Sequence, residues 1–91
     1  MKVFLSADME GTCGIVSWPE TERSAAFDYA PYQKQMSREV AAACRGAIAA
    51  GAEEVLVKDA HDSARNIDPT MLPRQIRMNR IRESRTIRMG E

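Results

Sequence analysis

The chain has 91 residues and no formal net charge; 44% of the residues are hydrophobic and 29% are charged. This length allows one compact domain or a piece of one, and the apolar content excludes disorder for most of the chain. No uncharged run approaches the roughly 20 apolar residues that span a bilayer, so we expect no membrane role. Cys13 and Cys44 lack a CxxC spacing, and the N-terminus has a strand pattern instead of a signal peptide, which together favour a cytoplasmic location.

The charge is unevenly distributed along the chain. Residues 1–73 carry 7 basic and 11 acidic side chains, whereas residues 74–91 carry six arginines and two glutamates. An Arg-rich segment can bind nucleic acid, but this one lacks the aromatic residues that stack on bases and has no known DNA-binding motif. We therefore favour a solvated or subunit-facing segment of uncertain structure at 74–91 over a nucleic-acid partner.

The first predicted element is a buried strand over residues 2–8, an apolar run rich in β-forming residues. Residues 11–31 contain two glycines and two prolines, which predict a long loop with at most one short helical turn near residues 20–26. Loops of this length are uncommon unless they are functional.

A helix is predicted over residues 32–50, because the segment is rich in alanine and its apolar residues recur every three or four positions. These positions are Met36, Val40, Ala43, Cys44, Ala47 and Ile48. Ser37 and Arg38 fall on the polar side, and Gly51 stands where a left-handed cap is expected. Cys44 is therefore predicted to be a core residue.

Two further strands are predicted, a buried one over residues 54–58 and a short one over residues 75–81. A strand, a helix and a strand in this order predict a crossover that joins parallel strands. The predicted fold class is α/β, with a parallel-sheet β-α-β core and a long loop after the first strand.

Four potential metal ligands follow the first two strands: Asp8, Glu10, Asp59 and His61. Ligands of an open α/β sheet gather outside the carboxyl ends of its strands, where all four are expected to converge. In each pair the residues are two apart, so an extended backbone directs both side chains to one face. Clustered carboxylates oppose joint ionisation, and a dication removes that conflict. Carboxylates with an imidazole suit Zn²⁺ or Mn²⁺ at a catalytic site better than a structural zinc.

Plainer interpretations exist for each residue taken singly, since such carboxylates often cap a helix or meet an arginine and a lone histidine is often a surface residue. The convergence of four such residues favours a metal site. Spacing alone leaves Mg²⁺-dependent phosphoryl transfer open, although no Gly-rich loop followed by lysine is present. A non-catalytic α/β module whose basic segment binds a partner or a polyanion is the alternative from a different class.

Three other residues of the region have a functional and a structural interpretation. Cys13 follows the acidic pair, but no base is identifiable beside it, so packing is favoured over nucleophilic chemistry. Trp18 and Tyr32 could line a substrate cleft or an oligomer contact, and simple packing is favoured for both.

Two stretches carry a resemblance to a known family: SADMEGTCGI at residues 6–15 and VLVKDAH at residues 55–61. Together they resemble the M55 metallopeptidases, the zinc-dependent D-aminopeptidases, in which a first strand ends in Asp-x-Glu-Gly and a second in Asp-x-His. The resemblance covers about residues 1–80, and the Arg-rich end matches poorly. It implies that the chain is the N-terminal part of a larger three-layer α/β domain.

The resemblance also implies roles for individual residues. It implies that Asp8 bridges two zinc ions, that Glu10 binds one and that His61 binds the other, with Asp59 as a supporting residue that orients a metal-bound group. Zinc would polarise the scissile carbonyl of a short peptide with an N-terminal D-amino acid. Family members form homo-oligomers and take further ligands from downstream segments, so we expect these 91 residues to supply only part of the site.

Overall fold

The computed structural model describes residues 1–79 and 87–88, which form one sheet with a long helix. The strands are β1 (Lys2–Ala7), β2 (Glu54–Asp59), β3 (Arg77–Asn79) and β4 (Ile87–Arg88), and they lie in the order β1-β2-β3-β4. The first three strands are parallel, as predicted, and β4 is antiparallel to β3. The predicted third strand is thus confirmed over Arg77–Asn79, and its last two residues lie outside the described part of the chain.

The parallel register of β1 and β2 brings the two strand ends together. Lys2 pairs with Glu54 at one end and Ala7 with Asp59 at the other, so the segments that follow both strands leave the same edge of the sheet. Side chains alternate across a strand, and Val55 and Val57 are buried in the core while Phe4 of β1 is 64% exposed. The α/β fold with its β-α-β core is confirmed.

The long helix, α1 (Ala26–Ala49), begins six residues earlier than predicted. Pro31 lies inside it, and this proline had been assigned to the loop because prolines usually end helices. Proline lacks the N–H that would bond to the carbonyl of Phe27, four residues before it. Phe27 is 93% exposed, so water can hydrate that carbonyl. The early helical turns therefore tolerate the proline, and the loop after β1 is shorter than expected.

The core lies between α1 and one face of the sheet. Helix residues Met36, Val40, Ala41 and Cys44 pack there, which confirms the core position of Cys44. Ala43 was predicted for this face but is exposed. The prediction for Ser37 was also wrong: it is fully buried, donates to the Gln33 carbonyl and accepts the Asp68 N–H.

The helix ends as its sequence predicts. Gly51 has φ +101°, the left-handed conformation that glycine adopts without a steric penalty, and its N–H bonds to the carbonyl of Ile48. Within the described residues, no helix is sufficiently long and apolar to span a membrane.

Candidate metal centre

The two carboxylates of the acidic pair are presented by a turn. Asp8 continues the extended backbone of β1, and Met9–Gly11 forms one turn of 3-10 helix in which Gly11 N–H bonds to the Asp8 carbonyl. The backbone is not extended through Glu10, which was the condition under which spacing alone would direct both side chains to one face; Met9 is fully buried in the core and the chain turns around it. Asp8 and Glu10 nevertheless face a common point, the ring of His61.

The imidazole of His61 lies between these carboxylates and a main-chain carbonyl. Its Nδ1 is 2.9 Å from Oδ1 of Asp8 and 3.0 Å from Oε1 of Glu10. Its Nε2 is 2.5 Å from the carbonyl oxygen of Thr21. A carbonyl can only accept a hydrogen bond, so Nε2 carries a proton. Carboxylates also only accept, so Nδ1, which faces the acidic pair, carries a proton too when no cation is bound.

The three side chains fit a metal ion of the zinc type. One ligand atom from each of Asp8, Glu10 and His61 lies within 4.8 Å of the other two. Ligands about 2.0–2.2 Å from a tetrahedral zinc are roughly 3.3 Å apart, so a small outward movement of the carboxylates would accommodate the ion. Two carboxylates and one imidazole form an acidic, incomplete donor set, which is typical of a catalytic site that keeps positions open.

Without a cation, a proton compensates the charge of this cluster. Burial lowers the pKa of His61, but the hydrogen bond to Thr21 and the charges of Asp8 and Glu10 outweigh it and raise that pKa above 6.5. Burial has the opposite effect on Asp8 and raises its pKa, yet hydrogen bonds with Glu10 and His61 and the charge of His61 outweigh burial and bring that pKa below 3.8. A proton on Nδ1 and a metal ion therefore compete for the same position.

Asp59, which spacing alone listed among the potential ligands, occupies a different environment. It is fully buried, and its carboxylate accepts hydrogen bonds from the main-chain N–H groups of Asn66 (2.6 Å) and Ile67 (2.8 Å) and from Nδ2 of Asn66 (3.0 Å). It does not belong to the cluster of ligand atoms. Its connection to His61 runs through Asn66, whose Nδ2 also donates to the His61 carbonyl.

Sequence reasoning missed three groups that surround His61. Thr21 acts through its carbonyl, which no side-chain pattern reveals. Asn66 and Tyr29 form a buried hydrogen bond of 2.7 Å from the tyrosine hydroxyl to Oδ1 of Asn66. The sequence pattern did not single out Asn66, whose available signal was its position seven residues after the buried strand end at Asp59.

A groove of about 340 Å³ lies beside Glu10. Its other walls are Ile15, Val16, Ser17, Trp18 and Thr21. Trp18 is 71% exposed, so the favoured packing interpretation was wrong for this residue, whereas Tyr32 does pack against the core. Glu20 accepts hydrogen bonds from the N–H groups of Val16 and Ser17, which lower its pKa and fix the wall of the groove.

The two cysteines also differ from each other. Burial raises the pKa of the Cys44 thiol, as expected for a core residue. Cys13 is exposed, which contradicts the predicted packing role, and its main-chain N–H donates to the carboxylate of Glu39 at 3.1 Å.

The model of the Peptidase M55 family, described as D-aminopeptidase, matches residues 1–90. The chain belongs to the M55 D-aminopeptidase family. The match extends through the Arg-rich segment, which the two motifs had left outside the resemblance.

A solved structure supports this assignment. It is described as the Zn-dependent D-aminopeptidase DppA from Bacillus subtilis, a self-compartmentalizing protease, and it matches this M55 chain with a TM-score of 0.81 at 26% sequence identity. The match covers 87% of this chain and 28% of the DppA chain. No curated protein is significantly similar to the chain in sequence.

Proposed function

We propose that this M55 chain contributes Asp8, Glu10 and His61 to the zinc site of a D-aminopeptidase, with Asp59 in a supporting role. The observation that carries the proposal is the convergence of three ligand atoms within 4.8 Å at one edge of a parallel sheet. Family membership supports the metal and the reaction, since the matched DppA structure is described as a Zn-dependent D-aminopeptidase. We also propose, from the family resemblance, that the site holds two zinc ions bridged by Asp8.

The chemistry divides between the metal and the chain. Zinc supplies Lewis acidity, which polarises a carbonyl and lowers the pKa of water to about 7. Asp8 and Glu10 supply the negative charge that holds the cation, and the Thr21 carbonyl keeps the proton of His61 on Nε2 so that Nδ1 is free to bind.

The proposed substrate is a short peptide with an N-terminal D-amino acid. The groove beside Glu10 supports this choice, because it adjoins the candidate ligands and its apolar walls include Ile15, Val16 and Trp18. Its volume of about 340 Å³ suits one side chain with part of the peptide backbone. We place the side chain of the N-terminal residue there.

Exposed apolar side chains and free cysteines support two further parts of the proposal, self-assembly and a cytoplasmic location. Val16, Trp18 and Phe27 are 89%, 71% and 93% exposed, and large exposed apolar side chains favour contact with another protein surface. DppA is described as self-compartmentalizing, so we propose a homo-oligomer. Both cysteines are free thiols, which supports a reducing, cytoplasmic location.

The alternative function, a module with a basic tail for a polyanion, receives less support. It requires the arginines of residues 74–91 to face a partner. Arg77 instead lies in β3, where its guanidinium pairs with the carboxylate of Glu54 at 2.5 Å. Arg80, Arg82 and Arg85 lie outside the described residues.

Zinc titration by calorimetry tests the proposed ligands. Asp8→Ala and His61→Ala should each weaken zinc binding by at least about tenfold, because each removes one of three ligands. Asp62→Asn is the matched control: it removes an exposed carboxylate next to His61 that is not part of the cluster. Equal binding in the parent and both alanine variants would exclude the site.

The substrate class has its own test, which does not require turnover. A dipeptide of two D-alanines should tighten zinc binding to the chain, since a ligand that contacts both metal and groove is thermodynamically linked to the metal. The all-L dipeptide is the control, because enantiomers chelate free zinc equally. Equal effects of the two dipeptides would contradict selectivity for D-residues.

A further inference from the structure

The loop that carries His61 has an unusual backbone. Asp62 and Ala64 have φ values of +43° and +62°, in the left-handed region that non-glycine residues rarely adopt. Ala64 is buried, and its N–H bonds to the His61 carbonyl at 2.8 Å. Such a conformation costs free energy and persists only where the surrounding structure holds it in place.

Asn66 supplies that support. It is fully buried, and every hydrogen-bonding group of its side chain has a partner. Its Nδ2 donates to the His61 carbonyl (2.5 Å) and to Oδ1 of Asp59 (3.0 Å), while its Oδ1 accepts the hydroxyl of Tyr29 (2.7 Å). The hydroxyl donor and the carboxylate acceptor admit one orientation of the amide, with Nδ2 toward His61.

We propose that Asn66 is a positioning residue for His61, held in its orientation by Tyr29. The main chain of His61 is fixed by Asn66 and Ala64 at its carbonyl, and the ring is fixed by Thr21 at Nε2. With both ends fixed, Nδ1 is directed at Asp8 and Glu10 before any metal binds. This inference rests on the proposed zinc function for its role, but the positioning itself can be tested without metal.

The location of Asn66 distinguishes it from residues that only stabilise the loop. Ser37 also bonds to this region, through the N–H of Asp68, and it is equally buried. Ser37 has no hydrogen bond to His61, Asp59 or Tyr29. Loss of Ser37 should therefore loosen the chain beyond Asn66 and leave the imidazole in place.

The experiment uses Asn66→Asp and Tyr29→Phe, with Ser37→Ala as the matched control. Asn66→Asp keeps the shape of the side chain but replaces the Nδ2 donor by an oxygen, which faces the His61 carbonyl and Oδ1 of Asp59. Tyr29→Phe keeps the Asn66 amide but removes the hydroxyl that donates to its Oδ1. Supporting groups of this kind change metal affinity by about 10–100-fold, so zinc affinity should fall by that factor in Asn66→Asp and by less in Tyr29→Phe. Ser37→Ala should remain within twofold of the parent.

Nitrogen NMR of the imidazole, recorded without metal at a pH where the ring is protonated, gives a second readout. The parent should have both ring N–H groups hydrogen-bonded, Nε2–H to the Thr21 carbonyl and Nδ1–H to the carboxylates, and Asn66→Asp should speed the exchange of both ring protons with water. Should Asn66→Asp fail to fold, Tyr29→Phe decides. Folded variants with parental zinc affinity and parental exchange of the ring protons, or an equal loss in Ser37→Ala, would overturn the inference. A parent that binds no zinc would refute the proposed function, while the exchange of the ring protons would still test the positioning.

Discussion

The loop after β1 presents Asp8 and Glu10 on a single turn of 3-10 helix, with side chains that are 54% and 46% exposed. In the loop after β2 the side chain of His61 is only 11% exposed, Asn66 is fully buried, and hydrogen bonds tie both residues to Asp59. One loop thus leaves its candidate ligands accessible, and the other fixes its candidate ligand by buried hydrogen bonds. The fold therefore fixes the orientation of the imidazole in advance, whereas the two carboxylates need an ion or a proton to compensate their charge.

We expect the largest difference between two aspartates at the ends of neighbouring strands, Asp8 just after β1 and Asp59 at the last position of β2. Asp59→Asn should lower the free energy of unfolding by about 3 kcal/mol, because it removes charge-assisted buried hydrogen bonds and places a donor against Nδ2 of Asn66. Asp8→Asn should change it by less than about 1 kcal/mol, since Asp8 is half exposed. Urea unfolding without metal measures both. A larger loss of stability in Asp8→Asn than in Asp59→Asn would contradict the difference between the two loops.

Stability should vary with pH in a direction set by the cluster. The pKa of His61 is raised above 6.5, so its contribution is fully present below that pH and is lost as pH rises through the raised value. The pKa of Asp8 lies below 3.8, so its contribution is present above that pH and is lost as pH falls through the lowered value. Metal-free protein should therefore gain most from this pair between these limits. In His61→Ala, unfolding curves should lose the decline at high pH.

Zinc affinity should have the opposite dependence on pH. Because a proton on Nδ1 competes with the ion, affinity should rise about tenfold per pH unit below the raised pKa of His61 and level off above it. Calorimetry in buffers of different ionisation enthalpy would also count the released proton. An affinity that does not change with pH would indicate that His61 is not a ligand.

The smallest expected effect concerns the strained backbone near His61. Ala64→Gly relieves a left-handed alanine, but glycine has more freedom to lose on folding, so stability should change by less than about 1 kcal/mol. Zinc affinity should stay parental because Asn66 still fixes the His61 carbonyl. A large loss of affinity in this variant would mean that the Ala64 conformation, and not Asn66, positions the ligand.

The sequence allowed the convergence of Asp8, Glu10 and His61 to be predicted, because parallel strands place their carboxyl ends at one edge. Spacing alone listed Asp59 among the potential ligands, whereas the family resemblance implied a supporting role; its side chain is buried at the strand end and does not join the cluster of ligand atoms. The route from Asp59 to His61 depends on left-handed residues at Asp62 and Ala64, which no local propensity encodes. The early start of α1 was missed because the helix tolerates Pro31 at its exposed end. That exposure depends on the tertiary structure and cannot be read from the local sequence.

We propose that Asp8, Glu10 and His61 hold zinc. A crystal structure of the protein with zinc, with anomalous differences measured across the zinc edge, tests this assignment most directly. We expect an anomalous peak about 2.0–2.2 Å from Nδ1 of His61 and from one oxygen each of Asp8 and Glu10. Zinc peaks only at other positions, with Nδ1 still hydrogen-bonded to the carboxylates, would contradict it.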